Sequence, residues 1–290
     1  MDEAKPSRTA LRVALRRAAH QLYDAPPLVL DDPIAIPILG PTYAEELHRT
    51  PGRNPNAHNP GIKDRPFSIS LRAFLVARSR YAEDQLAEAV TRGVTQYVLL
   101  GAGLDTFAHR NPHPTLRVFE VDHPATQQWK RDLLHASKIP APPSLTYVPV
   151  DFERHSLAEQ LQAASFNPQI PTFFGWLGVV PYLTHAAFRA TLDFIAAQPA
   201  GTGVVFDYGQ PREALPFFER LAHDSLAQRV RQAGEPFQLF FTPKEIATEL
   251  AAFHTLEDLG TPEINARYFA HRTDKLQVLG TAGRLLSAWL

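Results

Sequence analysis

The chain has 290 residues, 44% of them apolar, with a formal net charge of −1 from 29 basic and 30 acidic side chains, and no cysteine. Such a composition suits a globular protein with a sizeable core, while near-neutrality removes any global field for a polyanion and the missing thiols exclude disulfides, cysteine-ligated zinc and a thiolate nucleophile, so no nucleic-acid partner is expected. The Met1-Asp2-Glu3 start lacks a basic-then-apolar signal, and no apolar run approaches the roughly 18 to 20 residues that cross a bilayer, so the expectation is a cytoplasmic protein with no membrane partner.

Ala10 to Tyr23 reads as an amphipathic helix, with Leu11, Leu15, Ala18, Ala19 and Leu22 near one face and Arg12, Arg16 and Arg17 elsewhere. From Asp24 to Pro66, prolines and turn signals such as Asp31-Asp32-Pro33 and Asn54-Pro55 predict short helices joined by irregular loops, a cover and not a sheet layer. Phe67 to Arg92 is the clearest helix, because Leu71, Phe74, Leu75, Tyr81, Ala82, Leu86 and Ala89 recur at three- and four-residue spacing. Arg78 falls in the middle of that apolar face, whereas Arg80 lies on the charged side with Glu83 and Asp84. Burying a guanidinium is costly unless an anion meets it, so Arg78 is either half of an internal ion pair or is held out to a ligand carboxylate. The pattern leaves both open.

Gln96 to Leu100 is an apolar run that ends in Gly101-Ala102-Gly103 and is expected to enter a helix, which is how a sheet edge receives a nucleotide-like cofactor. About twenty residues later, a second run, Leu116 to Asp122, stops at an acid able to accept both hydroxyl hydrogens of a ribose at the neighbouring strand tip. Leu145 to Asp151, Pro171 to Val180 and Gly203 to Tyr208 read as further strands, with helices over Ala125 to Ala136, Leu157 to Ala164 and His185 to Ala197. Alternation of this kind, with strands too apolar to face water, implies a parallel sheet covered by helices and a ligand site beyond the carboxyl ends of the strands. Gly101, Asp122, Asp151, Gly178 and Asp207 fall at or near that rim. Pro211 to Phe241 is an insertion rich in aromatics (Phe217, Phe218, Phe237, Phe240, Phe241), followed by a helix over Pro243 to Ala252. Thr255 to Leu259 and Leu276 to Gly280 are expected as two closing strands forming an antiparallel hairpin.

The third glycine of a dinucleotide fingerprint is replaced by Thr106, preceded by Asp105, whose charge would repel a pyrophosphate; this disfavours NAD without excluding it. S-adenosylmethionine has no phosphate and carries a cationic sulfonium and ammonium, so an acid there is tolerable. Neither a Tyr-x-x-x-Lys pair nor a Gly-x-x-x-x-Gly-Lys loop is present. His109 and His113 have helical ligand spacing, but Pro112 interrupts them and no carboxylate triad accompanies them, so no metal is expected. His123 follows Asp122 and would lie near the adenosine end, away from the methyl, which makes it a poor candidate base.

Five ordered motifs carry a family resemblance: Ala77-Arg78-Ser79-Arg80-Tyr81, Leu100 to Thr106, Phe119-Glu120-Val121-Asp122-His123-Pro124, Val150-Asp151-Phe152, and Trp176 to Leu183. Together they resemble the leucine carboxyl methyltransferase family of class I S-adenosylmethionine-dependent methyltransferases, especially its bacterial O-methyltransferase branch. The resemblance runs from about Ala10 to the end of the sequence. It implies an α/β fold: a Rossmann-like, seven-stranded, mostly parallel sheet with helices on both faces, a helical N-terminal cover and an inserted lid. On that plan residues 1–290 form one domain, with a cover over 1–66, a cofactor-binding core over 67–208, a lid over 209–242 and a closing helix and strands over 243–290.

The resemblance also implies roles. Arg78 would meet the methionine carboxylate, Gly101 would let the backbone approach the methionine and ribose with Gly103 also binding the cofactor, Asp122 would hold the ribose hydroxyls, and Asp151 with the Phe152 amide would contact adenine. Gly103 could instead serve packing alone, and both acids could simply cap turns. Where the family often has a glutamate after the fourth strand, this chain has Leu177. Tyr182 either orients an acceptor or is a core tyrosine. Because no His-acid dyad stands out as a base, the expected acceptor is a carboxylate or acidic hydroxyl of a small molecule; a protein C-terminal carboxylate is a further option. The rival readings are a nicotinamide-dependent reductase and a non-catalytic S-adenosyl-ligand binder.

Overall fold

The computed structural model describes residues 7–49, 66–151, 156–232, 234 and 236–290. Five short apolar segments, β1 (Gln96–Leu100), β2 (Arg117–Asp122), β3 (Leu145–Pro149), β4 (Phe173–Trp176) and β5 (Gly203–Gly209), pair in parallel. Two later strands, β6 (Thr255–Leu259) and β7 (Gly283–Trp289), complete a seven-stranded sheet in the order β3-β2-β1-β4-β5-β7-β6. β7 runs antiparallel to both of its neighbours, with Asp207 opposite Leu285 and Asp258 opposite Leu286. The order reverses at β1, and a parallel sheet opens a crevice at that point, beyond its strand ends.

The period-two alternation of side chains divides the core. Tyr97, Leu99, Val118, Phe173, Val205 and Leu285 face α3 (Pro66–Thr91) and α9 (Thr261–Tyr268), where Val76, Tyr81, Leu86 and Ile264 are buried. Val98, Leu100, Phe119, Phe174, Trp176 and Phe206 face α5 (Leu157–Ala163), α6 (His185–Ala196) and α8 (Pro243–Glu249) through Leu161, Phe188, Leu192 and Ile246. α1 (Arg8–Tyr23), begun by Ser7 accepting from the Ala10 N–H, packs Ala14 and Ala18 on Ile38, Leu39 and Leu104. Also in that group is Leu134 of α4 (Pro124–Ala136); α2 (Gly40–Arg49) follows the turn containing Ile38. α7 (Phe217–Gln232) lies in the expected insertion. Among the described residues, no helix is long and apolar enough to cross a membrane.

Two expectations need correction. The closing strand is not Leu276 to Gly280: there the Val278 N–H and C=O are both bonded by the Asn265 side chain and the Leu279 N–H by Ser70 Oγ, so the backbone cannot join a ladder. Leu276 and Val278 plug the core from an irregular segment, and the strand begins at Gly283. Secondly, Gly103 does not enter an α-helix; among the described residues β1 and β2 are joined by a loop holding one 3-10 turn, Phe107–His109. Arg17, which the sequence set apart from the apolar face of α1, is nevertheless buried. It is 3% exposed, donating to Leu104 O (3.0 Å) and Thr106 Oγ1 (3.2 Å) and lying 3.4 Å from the carboxylates of Asp32 and Asp105.

Candidate functional site

At the end of β1 the N–H groups of Gly101 and Ala102 both donate to Val121 O (2.8 and 3.1 Å), which turns the chain across the tip of β2. Gly101 has φ +66°, and a Cβ there would stand 2.5 Å from Val179 Cγ2, so only glycine fits. Gly103 (φ +51°) donates its N–H to Asp122 Oδ2 at 2.5 Å, while the His123 N–H donates to Oδ1 at 2.7 Å. Both carboxylate oxygens are thereby held in place, each with acceptor capacity left. Burial pushes the Asp122 pKa up, against the opposing pull of the two N–H groups, Lys130 and His123. A Cβ on Gly103 would sit 3.1 Å from Ala10 Cβ, so its packing role against α1 is real as well.

Asp105 looks elsewhere. Its Oδ1 accepts from the Phe107 N–H (2.8 Å) and Oδ2 faces Arg17; burial raises its pKa, but Arg17, Lys130, that N–H and Arg110 outweigh it, leaving a net lowering. It belongs to an ionic cluster in which Asp32, fully buried, accepts from Thr106 Oγ1 and pairs with Arg17 and Arg110, while Arg110 forks onto Glu83.

On the other side of β1, Arg78 of α3 reaches the rim. Its Nη1 donates to Asp207 Oδ2 at 2.9 Å, and Asp207 Oδ1 accepts from the Gly178 N–H at 2.5 Å. Gly178 (φ +70°) leaves space that the guanidinium fills, since a Cβ would meet Nη1 at 2.7 Å. Arg78 Nε is buried and lacks a partner among the described residues. The ion pair left open by the sequence is therefore formed, and a donor remains uncommitted. Leu177 packs on the apolar layer containing Ala73, Val76 and Ala77.

Asp151 follows β3, half-buried and not without an interaction partner; Phe152 lies outside the described residues. Tyr182 ends the 3-10 turn Val180–Tyr182, its ring 5.2 Å from that of Phe237. His123 is a helix cap, its Nδ1 accepting from the Ala125 N–H at the start of α4. His109 Nδ1 lies 3.2 Å from Pro140 O, and among the described residues no three His, Cys, Asp or Glu side chains gather as a metal site.

Sequence reasoning missed three features. Lys130 Nζ stands 2.6 Å from Glu120 Oε2 with both side chains 1% exposed; Gln127, Lys130 and Leu134 on one face of α4, above an acid inside a strand, was the available signal. The Arg78–Asp207 partnership and the surroundings of His223 on α7 join distant segments and had none. A separate groove of about 980 Å³, bordered by Arg92, Gly201, Glu257 and Trp289, opens at the opposite sheet edge, where β5 begins and β7 ends. Glu257 there is held by Arg267 and Tyr81, so the groove is not the rim site.

The family model described as leucine carboxyl methyltransferase matches residues 10–196. YktD of Bacillus subtilis (strain 168), provisionally named an S-adenosyl-L-methionine-dependent methyltransferase, is 32% identical over 299 aligned positions, covering 97% of each chain. A similarly named protein of Saccharopolyspora erythraea is 28% identical, over 97% of this chain and 94% of its own. Among solved structures, a protein of Thermobifida fusca YX described provisionally as a methyltransferase superposes with TM-score 0.58 at 18% identity, over 99% of this chain and 96% of that one, showing a shared fold. With its seven-stranded sheet, its rim of glycines and acids, and a family match across most of its length, the chain belongs to the leucine carboxyl methyltransferase family of S-adenosylmethionine-dependent methyltransferases.

Proposed function

We propose that this chain moves the methyl group of S-adenosylmethionine to an oxygen, the carboxylate or acidic hydroxyl of a small molecule. The observation that carries the cofactor reading is Asp122, whose carboxylate is fixed at the β2 tip by the Gly103 and His123 N–H groups, beside a turn that has no room for a Cβ at Gly101. The donor set fits: Asp122 retains acceptor capacity for ribose hydroxyls, and the orphaned Arg78 Nε is a charged donor for the methionine carboxylate. Gly101 admits the backbone to the ligand, and Asp151, with the Phe152 amide, would take adenine.

When bound, the sulfonium supplies an alkyl group with a good leaving group for in-line displacement. The protein's own work is alignment and exclusion of water. A carboxylate acceptor arrives ionised and needs no base. A dinucleotide is served less well, because β1 leads into a 3-10 turn and not into the α-helix whose amino end would take a pyrophosphate.

Calorimetry with S-adenosylhomocysteine tests the site: binding should collapse in Asp122→Ala and Arg78→Ala, and undiminished affinity in both rejects the assignment. Incubation with methyl-labelled S-adenosylmethionine and a panel of carboxylic acids and phenols tests the chemistry. Alkali-labile label means an ester, alkali-stable label an ether, and no transfer to any oxygen acceptor rejects the oxygen-acceptor reading.

A further inference from the structure

α7 carries a histidine whose ring nitrogens make no hydrogen bond to the described residues, although, after Arg212, its charge helps hold the Asp224 carboxyl below its usual range. His223 has 13% of its side chain exposed, yet both ring nitrogens are buried and have no hydrogen-bond partner among the described residues. Asp224 Oδ1 is 3.8 Å from Nδ1, beyond hydrogen-bond reach, and that carboxylate is already gripped by Arg212 at 2.7 and 2.9 Å. An imidazole carries at least one N–H and, when neutral, one lone pair, so leaving both nitrogens without partners costs free energy for each unmet group. A cost of that kind at a rim is worth retaining where a ligand removes it.

The surroundings say what sort of ligand. The His223 ring is 5.3 Å from Phe240 and 6.4 Å from Phe237, and Phe237 is 5.2 Å from Tyr182. Backbone bonds fasten this aromatic group across two strand exits: the Gln238 N–H donates to Pro181 O (2.7 Å) beyond β4, and the Phe241 N–H to Gly209 O (3.0 Å) at the end of β5. Phe240 lies over Gly209, two residues along β5 from Asp207, the partner of Arg78. Tyr182 closes the short turn that starts beside Val179, whose methyl touches Gly101. The cluster thus adjoins the rim on the β4 and β5 side, away from Asp122.

We propose that His223, with Tyr182, Phe237 and Phe240, forms the acceptor subsite and that it takes an aromatic ring bearing a carboxylate or an acidic phenolic hydroxyl. The proposal rests on the methyltransferase reading above. Aromatic walls match a flat apolar body, and the imidazole offers a convergent polar contact, an N–H to a carboxylate or a lone pair to a phenol. This supplies the histidine that the sequence did not reveal.

The test uses the full chain with saturating S-adenosylhomocysteine, benzoate followed by calorimetry, and 4-nitrophenol followed by its visible phenolate band. Both probes should bind the wild type. His223→Phe, which keeps an aromatic ring but removes both nitrogens, should weaken them by about tenfold or more, near 1.4 kcal/mol, and His223→Gln should restore part of the benzoate affinity. The affinity for S-adenosylhomocysteine should not change in either variant. Phe237→Leu should also weaken both probes, and melting temperatures check that each variant is folded. Failure of the wild type to bind either probe saturably, or equal affinity in His223→Phe, overturns the subsite while the cofactor reading stands. Failure of the wild type to bind S-adenosylhomocysteine overturns that reading, and the subsite with it.

Discussion

Arg78 Nη1 and Asp207 Oδ2 stand 2.9 Å apart with their side chains 9% and 8% exposed, so α3 and β5 are joined by a charge pair directly beneath the rim. Deleting one member of such a pair costs more than deleting both, because the survivor is left charged and dry. Arg78→Met should therefore lower stability by about 3–5 kcal/mol in urea denaturation. Arg78→Met with Asp207→Asn should recover much of that, since an Asn carbonyl still accepts from the Gly178 N–H. S-adenosylhomocysteine binding should remain lost in both. Recovery of binding along with stability would show that Arg78 is only a strut.

Asp122 should link affinity and stability to pH in opposite directions. Its pKa is raised by burial, so ionising it costs folding free energy: the stabilising contribution is complete below the unfolded-state pKa and is lost as pH rises through the folded one. Ligand binding needs the ionised form as acceptor for two hydroxyls, so affinity should fall as pH drops through that same raised value. Calorimetry and thermal melts across the acidic range check both slopes. In Asp122→Asn, adenosyl affinity should be low and flat with pH.

Gly101→Ala should abolish adenosyl binding and lower the melting temperature, because the new methyl would lie 2.5 Å from Val179 Cγ2 and the backbone is left-handed. Adding Val179→Ala removes the clash and should leave only the conformational cost, about 1–2 kcal/mol. A double variant no better than the single would mean that the φ value, not the valine, selects glycine.

The Glu120–Lys130 pair has 1% exposure on each side, and Glu120 Oε1 has no partner among the described residues. Burial drives the Glu120 pKa up and Lys130 restrains it. Lys130→Met should destabilise by about 3–5 kcal/mol, whereas Lys130→Met with Glu120→Leu should come back close to wild type. A double-mutant cycle in denaturant measures the difference.

The strand tips were legible because their physics is local. Gly-x-Gly after an apolar run and acids at strand ends mark the rim by position alone, and the structure puts Gly101, Gly103 and Asp122 in one bonded turn. Arg78 was legible as an anomaly, a cation on an apolar face, but its partner lies 129 residues away and no spacing rule reaches that far. The burial of Arg17 was not legible for the same reason: Asp32 and Asp105 draw it inward across segments that helical periodicity cannot join. The final strand was displaced because Leu276 and Val278 are as apolar as strand residues; what disqualifies them is Asn265, whose amide takes both polar backbone groups of Val278. His223 was invisible because unmet nitrogens are a property of surroundings, not of sequence.

Last of the seven strands in chain order, β7 is last but one in space, wedged between β5 and β6. On a ribosome, therefore, β6 has no ladder to join and β5 keeps an open flank until Gly283–Trp289 has emerged. Both carry unpaired backbone groups during that interval, a condition that invites association between nascent molecules. Substitutions that slow docking of this final segment should thus reduce soluble yield in cells more than they reduce the equilibrium stability of the finished protein.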